Sequence, residues 1–310
     1  MVIDEQRMAS LIADTLGERP TALARAPRGQ ISETWFFSAC GKDYVIRLIR
    51  RKLGFLLRKD QFITERVLNR GASTDAIPVA RFVATGESDE TVFTITERVH
   101  GELVDEMDDA AVEALIPTML DMLDRIHETS LDGLSGYGGF DHQGSAPHTS
   151  WPEYLLSVAD ADPNGFHGNW HHLFDDSILE RDLFETLLAE MRRLLPHCPA
   201  ERHLIHGDYG ADNMIARDGE IVAVLDWANA RLGDFLWDIA WLGICMPDHD
   251  VVGTALSRYA SKGQRLASAE ARLRCYYCYI GLDTLRFFAR SNHEDGYRWI
   301  RSRIRAMTGI

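Results

Sequence analysis

The stretch from His203 to Asp238, HLIHGDYGADNMIARDGEIVAVLDWANARLGDFLWD, leaves the fewest choices of fold. The segments NMIAR and EIVAVLD are short and rich in apolar and β-branched residues, and Asp218-Gly219 separates them. Two such runs joined by Asp-Gly predict a β-hairpin with a type I′ turn. A two-residue turn sets Arg217 opposite Glu220 and, counting back, Asn213 opposite Val224. The open end of the hairpin then brings Asn213 and Asp226 near each other, next to the loop that carries Asp208.

That set of groups suits metal-assisted phosphoryl transfer. Magnesium takes hard oxygen ligands, commonly one or two protein groups completed by phosphates and water. An aspartate beside it accepts the proton of a substrate hydroxyl. Asn213 follows Asp208 by five residues and Asp226 stands apart, the spacing that kinases use for a catalytic-loop Asp, an Asn and a separate metal-binding Asp. Here Trp227 follows the metal Asp in place of Phe-Gly. HGD closing a turn and Asn213 capping a strand is the bland reading of each residue alone, and the combination argues against it.

With 310 residues, 45% hydrophobic and 26% charged, the chain predicts one large or two modest soluble domains. The N-terminus has an amphipathic helix pattern without the apolar core of a signal peptide, and no apolar run approaches the roughly 20 residues of a membrane span. Five scattered cysteines suit a reducing cytoplasm. Cys275-Tyr-Tyr-Cys278 lies in an apolar, aromatic helical run, which predicts buried, inert thiols rather than a redox or zinc pair. His167, His171 and His172 lack the further ligands of a zinc site.

The formal charge of −14 is uneven. Residues 1–100 hold 15 Lys+Arg against 13 Asp+Glu, whereas residues 101–310 hold 18 against 34. A negative potential over the second part repels nucleic acid and gathers cations.

Along the chain, residues 4–16 predict a helix. Arg28–Thr34 predicts a polar loop between two strands, where backbone N–H groups of the Ser32 region can approach a phosphate. Tyr44–Ile49 predicts a strand following a Gly41-Lys42-Asp43 turn. Within it Arg47 takes the place where many kinases hold the α- and β-phosphates with lysine, and offers a wider fork of donors. A helix over Arg58–Asn69 supplies Asp60 or Glu65 as the acid that orients this cation, and the residues alone leave both open. Strands follow at Val79–Ala84 and Thr91–Thr96, separated by the polar turn 86–90. Glu97–Val99 ends the strand pattern, so the domain boundary is expected there, with residues 1–98 nucleotide-binding and 99–310 catalytic. Helices are predicted at Ala110–His127 with a kink at Pro117, Trp151–Ala159, Ser177–Leu195, Phe235–Cys245 capped by Asp234, Val251–Ala260 and Ala269–Arg290. The fold class is therefore α+β, with a β-rich first part and a mostly helical second part.

HGDYGADN, LDW and GDFLWD resemble the aminoglycoside phosphotransferase family, which has the protein-kinase-like two-lobed fold. The likeness is strongest to the hygromycin B 4-phosphotransferases. It runs from YVIRL through SGYGGFDHQG, TSWPEYLLSVADADP and CPAERHLIHGDYGADN to RLRCYYCYIGLDTLRFF. The resemblance implies Asp208 as catalytic base, Asn213 and Asp226 as Mg2+ ligands, and Arg47 as the phosphate-holding cation with Asp60 rather than Glu65 as its partner. It makes Glu97 to Val99 the hinge for ATP or GTP. The implied acceptor is a polycationic aminoglycoside, hygromycin B first, held by Asp212, Asp238 and Asp283. Asn229 stands where the resemblance leads one to expect a glutamate. A monomer without nucleic-acid or membrane partners is expected. The alternatives are a kinase of another alcohol (a macrolide, choline, a sugar or homoserine) and a pseudokinase-like binding module.

Overall fold

The computed structural model describes residues 3–27, 31–68, 76–88, 90–161, 163 and 166–310. The predicted loop residues 28–30, Asn69 and Asp89 lie outside the described residues. In chain order the elements begin with α1 (Glu5–Leu16), β1 (Thr21–Arg25), β2 (Glu33–Ala39), β3 (Lys42–Arg50), α2 (Phe55–Phe62), β4 (Phe82–Glu87) and β5 (Thr91–Glu97). Next come β6 (Glu102–Leu103), α3 (Asp109–His127), β7 (Gly138–Gly139), α4 (Trp151–Leu156), α5 (Leu173–Asp176), α6 (Arg181–Leu194) and β8 (His203–Ile205). The chain ends with β9 (Met214–Arg217), β10 (Glu220–Val224), β11 (Arg231–Gly233), α7 (Leu236–Cys245), α8 (Val251–Ser261), α9 (Ala269–Arg290) and α10 (Glu294–Thr308). Sheet dominates the N-terminal region and helix the C-terminal region, as expected of the α+β class. Among the described residues, no helix is long and apolar enough to cross a membrane.

The chain divides into two compact units, one comprising Met1–Arg125, Asp141–Gln143 and Asp212–Asn229, the other Ile126–Phe140, Gly144–Ala211 and Ala230–Ile310. In the first, a five-stranded antiparallel sheet has the order β1-β2-β3-β5-β4. Alternation along β2 and β3 buries Trp35, Phe37, Ile46 and Leu48 on one face, where Met8 and Ile12 of α1 pack. Asp4 caps α1 by accepting from the Arg7 N–H at 2.8 Å, and Gly17 closes it at φ 77°. Arg47 belongs to the opposite face of β3, the side on which Leu57 of α2 packs against Ile49 and Val92.

Several boundaries differ from the sequence expectation. The β2–β3 turn is Cys40-Gly41, both with positive φ, so Lys42 and Asp43 already belong to β3. β4 starts at Phe82, three residues beyond the expected start, while the Arg81 carbonyl accepts from the Glu97 N–H at 2.9 Å. The helix expected at Arg58 starts at Phe55 and loosens to a π-helical turn over Ile63–Leu68. Pro117 lies inside α3, which continues past it.

The hairpin forms as expected, with Asp218 and Gly219 both at positive φ and Arg217 opposite Glu220. Its register then shifts between Ile221 and Ala223, so Val224 faces Met214 and the Leu225 N–H donates to the Asn213 carbonyl at 2.8 Å. The expected Asn213–Val224 pairing is thus off by one, because a bulge adds a residue to one strand. β6 extends the hairpin to a three-stranded sheet, β10-β9-β6. Gly101 enters β6 so closely that a Cβ there would meet the Ala216 carbonyl oxygen at 2.5 Å.

The second unit places the short strand β11 between β7 and β8, with Arg231 opposite Ile205. Around it lie α4 to α10. α10 was not expected; Ile300 and Ile304 at i, i+4 are buried and His293 caps its start. Cys275 and Cys278 are buried, in keeping with inert thiols.

Candidate active site

In the first unit, three separate segments meet at one carboxylate. Asp60 of α2 is 5% exposed. One of its oxygens accepts from Arg47 Nη1 at 2.8 Å, and the other accepts from the Trp227 backbone N–H at 3.2 Å. The second arm of Arg47 reaches Asp226, with Nη2 3.3 Å from Oδ2. Glu65, the other candidate for this pairing, accepts instead from Gln61 at 3.1 Å on the exposed side of its helix. Burial pushes the Asp60 carboxyl up to about 6; the Arg47 guanidinium opposes that and Asp226 adds to it. Burial alone would lower the Arg47 pKa, but the Asp226 and Asp60 carboxylates outweigh it and raise it, so the guanidinium stays charged.

The backbone around Asp226 is fixed. Asp226 has φ 58°, an uncommon left-handed conformation for a non-glycine residue. The Trp227 side chain is buried and donates from Nε1 to the Val224 carbonyl at 3.1 Å, anchoring the turn. The Leu225–Asn213 backbone bond brings Asn213 alongside this turn. An amide oxygen and a carboxylate are hard donors, a set that fits magnesium completed by phosphate oxygens and water. His167, His171 and His172, read from the sequence as no zinc set, each have another partner: His167 lies 3.0 Å from Asp283, His171 3.0 Å from the Ala159 carbonyl and His172 2.7 Å from that of Asn169.

Ser32 sits half-buried immediately before β2. Glu97 ends β5 with its carboxylate between Lys42, at 2.8 Å, and Arg81. Hydrogen bonds from Arg81 and then Lys42 pull its pKa down to about 2. The Glu97 and Arg98 N–H groups donate to the Arg81 and Asp43 carbonyls. Val99, half-buried, follows outside any strand.

In the second unit, the HGD loop is held from below. Gly207 turns at φ 84°. The His206 and Gly207 N–H groups donate to the two oxygens of Asp238 at 3.0 and 2.8 Å. His127 Nε2 lies 3.0 Å from the same carboxylate, and Trp237 Nε1 donates to the Gly207 carbonyl at 3.4 Å. Asp208 follows, half-buried, its N–H donating to His206 Nδ1 at 3.3 Å and its carbonyl accepting from Gly210. Asp238 was expected to meet the acceptor, but it is 0% exposed, with both oxygens taken by the loop and His127. It stands on the first turn of α7, where a carboxylate accepts backbone donors as readily as it meets solvent.

Asp234 starts α7 by accepting from the Leu236 N–H at 3.2 Å, and is itself held by Arg272 and the Tyr276 hydroxyl. Asp283, on α9, is partly exposed and accepts from Arg286 at 2.6 Å as well as facing His167. Burial pushes its pKa up, but His167 and Arg286 outweigh this and hold it well below the usual carboxylate range. Asp212 is exposed on the 3₁₀ turn preceding β9. Sequence reasoning missed His127 and the Trp227 N–H; neither carries a local pattern, since each acts only through a carboxylate distant in the chain.

Comparison with known proteins adds an independent line. The family model described as "phosphotransferase enzyme family" matches residues 22–275. Hygromycin-B 4-O-kinase of Escherichia coli is 27% identical over 293 residues, covering 92% of this chain and 80% of that protein. A crystal structure of a thermostable mutant of aminoglycoside phosphotransferase APH(4)-Ia, in ternary complex with AMP-PNP and hygromycin B, superposes with a TM-score of 0.82 at 25% identity over 97% of each chain. The fold alone is shared with macrolide 2′-phosphotransferase MphH of Brachybacterium faecium, with a TM-score of 0.59 at 18% identity over 97% of this chain and 98% of that one. With the match spanning most of its length, this chain belongs to the phosphotransferase enzyme family and is an O-phosphotransferase.

Proposed function

We propose that this protein moves the γ-phosphate of ATP or GTP to an aminoglycoside hydroxyl, with the 4-hydroxyl of hygromycin B as acceptor, and so confers resistance. The observation that carries the reading is the Arg47–Asp60–Asp226 cluster, a guanidinium and two carboxylates drawn from three segments. Nucleotide handling falls to residues 1–98, and catalysis and acceptor binding to 99–310. Arg47 binds the α- and β-phosphates, positioned by Asp60, while the loop at Ser32 offers backbone N–H groups. The strip from Glu97 to Val99 reads the base edge through its backbone. The Glu97 carboxylate stays with Lys42 and Arg81 and fixes the strip.

Asn213 and Asp226 hold Mg2+, which when bound neutralises charge on the transferred phosphoryl group. Asp208 orients the acceptor hydroxyl and takes its proton. Asp238 fixes the backbone on either side of His206, just ahead of Asp208, and so orients the loop that carries it. Asp212 and Asp283 remain as carboxylates for ammonium groups of the acceptor. A second reading, a kinase of a less cationic alcohol such as a macrolide, choline, a sugar or homoserine, is favoured by one observation: Asp283 already faces Arg286 and His167.

The test is ADP release by the purified protein with ATP, magnesium and either hygromycin B or a panel of such alcohols. Release that depends on hygromycin B supports the proposal. Release with a neutral or singly charged alcohol alone would replace the acceptor and leave the transferase.

A further inference from the structure

Arg47 touches two carboxylates of unequal standing. Asp60 is the inner one, its side chain 7% exposed and its second oxygen committed to the Trp227 N–H. Asp226 is the outer one, its side chain 39% exposed and its contact with Arg47 longer, at 3.3 Å against 2.8 Å. Buried, hydrogen-bonded pairs persist, whereas half-exposed pairs exchange readily. Trp227, pinned through its backbone by Asp60 and through its buried ring, keeps the Asp226 main chain beside the guanidinium while the carboxylate itself can exchange partners. A cation arriving at Asp226 therefore competes with the outer arm of Arg47, whose single positive charge is shared with Asp60.

We infer that Arg47 makes divalent-cation binding at Asp226 conditional on nucleotide, by holding this carboxylate until phosphate oxygens take over the outer arm of the guanidinium. The inference rests on the nucleotide and metal roles proposed above. It depends on arginine. The guanidinium presents two separate Nη groups in a fixed fork and bridges both acids, while a lysine ammonium is a single point that stays with the buried Asp60. Phosphates arriving with the metal compensate both positive charges, so Asp226 is released at the step where the metal needs it. In the nucleotide-free protein the same bridge shares one positive charge between the two carboxylates.

Mn2+ is the probe, with free Mn2+ counted by electron paramagnetic resonance in wild type, Arg47→Lys and Asp226→Asn, each with and without ADP. Melting curves check the fold, and the neutral Arg47→Gln serves as a second variant. Without nucleotide, Arg47→Lys should bind Mn2+ about fivefold tighter than wild type, the order expected for freeing one partly exposed ion pair. ADP should then tighten wild type by a larger factor than Arg47→Lys. Equal nucleotide-free affinity in wild type and both Arg47 variants would overturn the inference, and so would an equal gain from ADP. Mn2+ binding in the presence of ADP that is unchanged by Asp226→Asn would instead remove Asp226 from the metal site, and with it the reading on which the inference stands.

Discussion

Replacing Asp238 by asparagine separates two accounts of this residue. The side chain keeps its shape, but one of its two oxygens becomes an NH2 group facing either the His206 or the Gly207 N–H. A buried backbone donor set against another donor loses about 1–3 kcal/mol, and weakening the contact with His127 brings the loss to about 2–4 kcal/mol. The loop relaxes to relieve that clash. A displacement of about 1 Å at Asp208 is enough to lower turnover about 100-fold. Urea unfolding and steady-state kinetics read both quantities on the same preparation. The expected pattern is lower stability and lower kcat with acceptor KM within about threefold of wild type, since a loop-positioning group acts on the reacting geometry rather than on acceptor binding. Wild-type stability and kcat with a strongly raised acceptor KM would refute the reasoning and return Asp238 to the acceptor surface.

Asp208→Asn should lower kcat by about 10²–10⁴-fold with the fold intact, measured by product formation and circular dichroism; near-wild-type turnover would remove its role. Asp283→Asn should raise the KM for hygromycin B roughly tenfold while kcat holds, and added salt should shrink the difference between the two proteins; an unchanged KM would show that Arg286 and His167 are its whole purpose. Glu97 has a folded pKa of about 2, below its ordinary value of 4.5, so its ion pairs stabilise the protein above pH 4.5 and that contribution is lost as pH falls toward 2. Acid unfolding followed by fluorescence should therefore show wild type and Glu97→Gln converging across that window; a constant offset would contradict the assignment.

What could be read from the sequence was what short stretches decide locally. Asp218-Gly219 fixes a turn by backbone conformation, so the hairpin was legible, while the bulge between Ile221 and Ala223 was not, because no residue type there demands it. Alternation placed Arg47 on a strand and helical spacing offered Asp60 and Glu65. Only packing decides which acid faces the guanidinium, and the decisive Trp227 N–H carries no side-chain signal. Asp238 was misplaced because burial and exposure look alike for a single carboxylate at a helix start. α10 escaped notice because its arginines, some lying along exposed faces, mask a narrow apolar stripe. β4 was placed early because the apolar pattern begins at Val79, three residues before Phe82, the first residue to pair with β5.

The most direct test of the account is product analysis after incubating the protein with ATP, magnesium and hygromycin B. The account predicts a singly phosphorylated antibiotic, with phosphorus–proton coupling at the 4-position by NMR, formed by wild type and abolished by Asp226→Asn. Unmodified hygromycin B beside a phosphorylated neutral alcohol in the same reaction would contradict the assigned acceptor, and full product formation by Asp226→Asn would contradict the assigned site.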